Sequence, residues 1–121
     1  MLAGGRLAFV NRTTKMLAHT SATEGGPLEI IGPSIEALDL ATDGTSIFGT
    51  TLSHETLSAK MLVLGLDGAT APALATWSYA VDDAVGYASV ASVVDESRVY
   101  WADYHVDDAG RHQATIRSAK R

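Results

Sequence analysis

The sequence predicts an all-β fold built from a repeated antiparallel unit of four strands, and three observations predict it. Short β-prone runs recur between clusters of Gly, Asp, Ser and Thr, and no apolar pattern of helical period lasts longer than a turn or two. Three of these runs, 6–11, 46–51 and 98–103, each follow a tight-turn signal: Gly4-Gly5, Asp43-Gly44-Thr45 and Asp95-Glu96-Ser97. The strands after them also correspond. Lys15-Met16-Leu17-Ala18 is matched 45 residues later by Lys60-Met61-Leu62-Val63 (15 to 60), and Pro27-Leu28 by Pro72-Ala73 (27 to 72).

In chain order, with strands lettered A to D, the first unit (6–32) carries B at 6–12, C at 15–22 and D at 27–32, without a preceding A. The second (35–78) is complete, with A at 35–41, B at 46–52, C at 59–66 and D at 72–78. The third (87–121) has A at 87–94, B at 98–104 and C at 114–119, and lacks D. Small residues in Tyr87–Val94 suit a crowded inner strand beside a central channel. Four strands of roughly five to seven residues plus turns fill such a repeat, which is the size of a β-propeller blade. The expectation is a partial β-propeller of four-stranded antiparallel blades, roughly ten strands in one all-β domain spanning 1–121. A ten-stranded sandwich or meander is the alternative, because all-β folds share this turn spacing.

Composition narrows the function classes. The 121 residues are 46% hydrophobic, ordinary for a globular domain, and no apolar run approaches the ~20 residues of a spanning helix, so no membrane insertion is expected. Nine basic against fourteen acidic residues give a formal charge of −5 with no basic stripe, so no nucleic-acid partner is expected. Without cysteine there is no disulfide framework, zinc–thiolate site or cysteine nucleophile. Gly4, Gly5 and Arg6 interrupt the apolar stretch that an export signal would need, and the compartment stays open.

The run from Val94 to Tyr104 resembles the signature strand of the propeller family named for its Tyr-Trp-Thr-Asp motif, here Tyr100-Trp101-Ala102-Asp103. A Gly-containing turn follows, and Ala114-Thr115-Ile116-Arg117 takes the place of that family's Thr-Ile-Arg-like strand. Bacterial relatives of the low-density-lipoprotein-receptor propellers and NHL-type propellers look similar. Only the last copy carries the motif; Phe48-Gly49-Thr50-Thr51 and Ala8-Phe9-Val10-Asn11 are degenerate at the same positions, and Ala102 lacks the hydroxyl of the usual Thr. The resemblance implies blade architecture in a ring larger than this chain supplies and an often extracytoplasmic setting, with no particular activity. Alternation places Tyr100 and Ala102 on one face, with Trp101 and Asp103 on the other. Tyr100, Trp101 and Asp103 are thus expected to be structural: the rings pack adjacent blades, at ~1–3 kcal/mol per buried ring, and Asp103 accepts backbone N–H groups of a neighbouring turn.

Candidate chemistry is sparse. His105-Val106-Asp107-Asp108 with His112 is the ligand-rich stretch, expected in the loop between B and C of the last unit, and its spacing matches no recognised metal motif. Asp82 and Asp83, with Glu55 and Asp107, offer carboxylate pairs for calcium or acid/base work. Propeller lactonases hold calcium with Glu, Asn and Asp on inner loops; the matching loops here supply Asp82 and Asp83 without Asn or Glu beside them, so a solvated acidic loop is expected. No metal site or cofactor is assigned: Asp82, Asp83, His105, Asp107 and His112 are the candidate metal ligands, and calcium, which the carboxylates among them suit, is the candidate ion. No Gly-x-Ser-x-Gly elbow or phosphate loop occurs, and no catalytic residue is assigned. Trp77 and Tyr79, where strand D leaves the second unit, are candidate binding aromatics, weighed against packing between blades.

These readings converge on a non-catalytic propeller-type scaffold or binding module for a protein or small ligand, either a fragment of a longer propeller or a partial one that self-assembles through open blade edges. The alternative is a lactonase-like, calcium-dependent hydrolase whose site is completed by missing blades or by another chain.

Overall fold

The computed structural model describes residues 2–3, 6–11, 13, 16–21, 27–34, 40–67, 69–79 and 88–121. Eleven strands form among them, and no helix does. The first sheet runs β1 (Leu2–Ala3), β2 (Arg6–Asn11), β3 (Met16–Ser21), β4 (Glu29–Ser34); the middle sheet β5 (Ala41–Thr42), β6 (Ser46–Ser53), β7 (Ser58–Gly65), β8 (Ala75–Ser78); the last sheet β9 (Ala88–Val94), β10 (Arg98–Val106), β11 (His112–Lys120). Every neighbouring pair is antiparallel and every sheet is a meander in chain order. The strand expected over 35–41 appears within the described residues only as Ala41–Thr42, and 35–39 lie outside them. One expectation is corrected: the first sheet does have its leading strand, because Leu2 and Ala3 pair with Leu7 and Arg6. Two residues are too short to show alternation, so the sequence pattern hides this strand.

The core lies between the sheets. In β6 the four consecutive residues Ile47 to Thr50 are all buried, where a strand with one wet face would alternate. Ile47 and Leu64, cross-strand partners, pack with Ala8 of the first sheet, flanked by Val10, Leu62 and Leu66. On the opposite side, Phe48 and Met61 pack with Val99 and Trp101 of the last sheet, flanked by Val63, Trp77, Val94 and Ala119. The middle sheet therefore sits between the other two.

The stacking repeats in register. Ile47 turns back toward the first sheet, and Val99, 52 positions on (47 to 99), turns back toward the middle sheet. Phe48 turns forward onto the last sheet, and Ala8 forward onto the middle one. Ile47, Met61, Leu64 and Val99 are each fully buried.

Trp101 is the largest side chain of this packing, 2% exposed. Truncation to Ala is expected to cost about 3–5 kcal/mol, whereas Ile116→Ala on an exposed face should stay within about 0.5 kcal/mol. Chemical denaturation of the two variants against the parent chain checks the contrast; equal costs would contradict the packing described.

Candidate functional site

Two turns share one construction. Asp43 Oδ1 accepts the backbone N–H groups of Thr45 (2.9 Å) and Ser46 (2.7 Å) and the Thr45 hydroxyl (2.8 Å). Asp95 Oδ1 accepts those of Ser97 (2.7 Å) and Arg98 (2.7 Å) and the Ser97 hydroxyl (3.1 Å). An Asp side chain that mimics a turn of backbone sets the start of β6 and of β10 in the same way. Gly44, at φ +91°, supplies the left-handed residue that the first turn needs.

Arg121 joins the two turns across the sheet boundary. Its Nη1 donates to the Asp95 carbonyl (2.7 Å), its backbone N–H to the Ser97 carbonyl (3.0 Å), and its Nη2 pairs with Asp43 Oδ2, while the guanidinium lies 5.8 Å from the Phe48 ring centroid.

The Asp carboxyls respond to this setting. Burial works to raise Asp43, but hydrogen bonds from Ser46 and Thr45 and the Arg121 charge outweigh it and hold the group below its ordinary 3.8. Asp95 is lowered by the N–H groups of Ser97 and Arg98 and further by the Tyr100 hydroxyl, and the hydrogen bond to Asp95 pushes the Tyr100 phenol up.

A second seam crosses the same boundary. Trp77 and Trp101 pack with ring centroids 5.1 Å apart, and the Arg117 guanidinium lies 5.3 Å from the Trp77 ring. Arg117 Nε pairs with Asp103 Oδ2, and Asp103 is 2% exposed. The expected backbone partner of Asp103 is thus replaced by a side chain: Trp101 pairs with Arg117 and Asp103 with Thr115, so Arg117 and Asp103 are diagonal neighbours on one face. Asp103 Oδ1, Trp101 Nε1 and Thr50 Oγ1 are buried here without a protein hydrogen bond. Beside them Ala75, Thr76, Trp77, Trp101, Arg117 and Ser118 line a shallow cavity of 310 Å³.

The remaining candidates serve local structure. Tyr79 is buried; its hydroxyl donates to the Ser53 carbonyl (3.0 Å) and meets His54 Nδ1 (3.4 Å), closing the β6–β7 hairpin. His105 lies within β10 rather than in the expected loop. Asp107 closes the β10–β11 turn: Oδ1 accepts from Ala109 (3.0 Å) and Arg111 (2.9 Å), and Oδ2 from Arg111 Nε (2.8 Å) and Gln113 Nε2 (3.1 Å). The Arg111 N–H heads the causes that lower its carboxyl. His112 Nδ1 pairs with the Tyr104 hydroxyl. Among the described residues no three metal-ligating groups converge, and Asp82 and Asp83 lie outside those residues.

Among the described residues the last sheet has an open apolar face. Tyr100 pairs with Val93, and Ala102 with Ala91 and Ile116, which puts all five on the side away from the middle sheet. Val93 is 63% exposed and Ile116 72%. With Ser92 and Trp101 they line a hollow of 210 Å³. Sequence reading missed this face, along with Arg117 and Arg121. Its signal was legible, since Val93, Tyr100 and Ile116 follow from alternation once the pairing is known. Comparison with protein-family models, with curated proteins and with solved structures gave no match.

The lowered carboxyls tie stability to pH. Asp43, Asp95 and Asp107 contribute stability that is fully present above their ordinary value and is lost as pH falls through their lowered native values. The melting temperature should hold down to about pH 5 and fall steeply below about pH 4. The Asp43→Asn, Asp95→Asn double variant keeps an acceptor oxygen but cannot ionise, and its melting temperature should fall less over the same range. An unchanged acid slope would contradict the assignment.

Proposed function

We propose that this chain is a non-catalytic scaffold or binding module of the β-propeller type, its three meander sheets standing as successive blades. One observation carries the reading: the charged groups at the turns and the sheet boundary are spent on architecture, and beside them the last sheet keeps an open apolar face. Asp43, Asp95 and Asp107 organise turns, Asp103 is held by Arg117, and Arg121 bridges two sheets. The open face carrying Tyr100, Val93 and Ile116 offers desolvation without an acid, base or nucleophile. In two consecutive sheets the first two strands are also joined by the same Asp-centred turn, 52 residues apart (43 to 95), which supports repetition of one unit.

Calcium tests the reading against a propeller hydrolase. The melting temperature is expected to be the same with calcium and with chelator, and ester and lactone substrates to remain intact. Calcium-dependent stabilisation that Asp82→Ala with Asp83→Ala removes, or calcium-dependent lactone cleavage, would overturn it.

A further inference from the structure

Both ends of the stack present an apolar side, and the two sides are the two halves of an interface that the chain already makes twice. The forward side of the middle sheet, with Phe48 and Met61, is covered by the backward side of the last sheet, with Val99 and Trp101. The forward side of the first sheet, with Ala8 and Val10, is covered by the backward side of the middle sheet, with Ile47 and Leu64. Tyr100 stands 52 positions after Phe48, so the open face of the last sheet is the next forward side. Leu7 precedes Ala8 as Ile47 precedes Phe48, so the far face of the first sheet is the preceding backward side. That face is apolar as well: Phe9 pairs with Ala18 and Ala18 with Ile30, in line with Leu7. Leu7 is 42% exposed and Ile30 63%.

From this equivalence we infer that a second copy of the chain docks the Leu7, Phe9 and Ile30 face of its first sheet onto the Tyr100, Val93 and Ile116 face of the last sheet, head to tail. The inference deepens the scaffold reading and rests on its repeated units. The apolar rows themselves carry no charge; Arg98, whose Nη1 donates to Ser118, and its partner Lys120 stand on the same face at the end of the Tyr100 row, and docking of the rows removes apolar area from water. Because the two faces differ, the contact is heterologous. It closes into a ring or runs on as a filament according to the rotation per copy.

Light scattering coupled to size exclusion, over a concentration series, tests this. The parent chain should show a mass above 12.7 kDa that rises with concentration. Ile116→Lys and Leu7→Glu, each at an exposed position, should each be 12.7 kDa monomers with unchanged circular dichroism. An equimolar mixture of the two should form a 1:1 complex of twice that mass, because each variant keeps the face the other lacks. Val93→Lys with Ile30→Glu repeats the design if either first variant fails to fold. A monomeric parent chain overturns the inference and leaves the scaffold reading standing. So does a Leu7→Glu variant that still associates like the parent, since the last sheet would then pair with itself, or a mixture that stays monomeric. Calcium-dependent hydrolysis would instead overturn the scaffold reading, and the mixing result would still decide the docking.

Discussion

The middle sheet has two apolar faces, and the rest of the structure follows from the need to cover both. Ile47 and Leu64 point one way, Phe48 and Met61 the other, and all four are at most 2% exposed. A single meander leaves one of these rows in water, and fully burying such a side chain is worth about 1.5–3 kcal/mol. A sheet on each side removes the cost. That constraint explains the burial at the centre, whereas Val93, Ile116 and Ile30 stay exposed on the outward faces of the flanking sheets.

Apolar faces alone would slide, and polar contacts at the sheet boundary fix the alignment. Arg121 reads the positions of two turns at once, since it touches the Asp95 and Ser97 carbonyls and the Asp43 carboxylate. Arg117 performs the same service deeper in, between Asp103 and Trp77. The Asp-centred turns make this possible because each Asp has one oxygen occupied by local N–H groups and, at Asp43, a second left for Arg121. Such contacts add specificity of register more than net stability when a charge is buried.

Much of this was legible in the sequence. Alternation in β10 put Trp101 and Asp103 on one face and Tyr100 and Ala102 on the other, without saying which is covered, and the Asp-Gly-Thr and Asp-Glu-Ser turns marked the starts of β6 and β10. Other features were not. The 45-residue match aligns Met16 with Met61, yet Met16 pairs with Asn11 and shares the far face with Phe9, while Met61 points at the next sheet. A one-residue difference in hairpin register reverses the face without altering the local sequence. Arg117 and Arg121 read as ordinary surface charge until pairing brings them to Asp103 and Asp43. The polar His105–Asp108 stretch suggested ligands because composition does not reveal that Asp107 is committed to its own turn.

Native-state hydrogen exchange measures the central claim most directly. A sheet covered on both faces exposes its amides only when the whole stack opens, whereas a sheet with one wet face frays sooner. The account predicts that the paired amides of β6 and β7 exchange most slowly in the molecule, more slowly than those of β2 and β3 or of β10 and β11. Equal or faster exchange in β6 and β7 would contradict it.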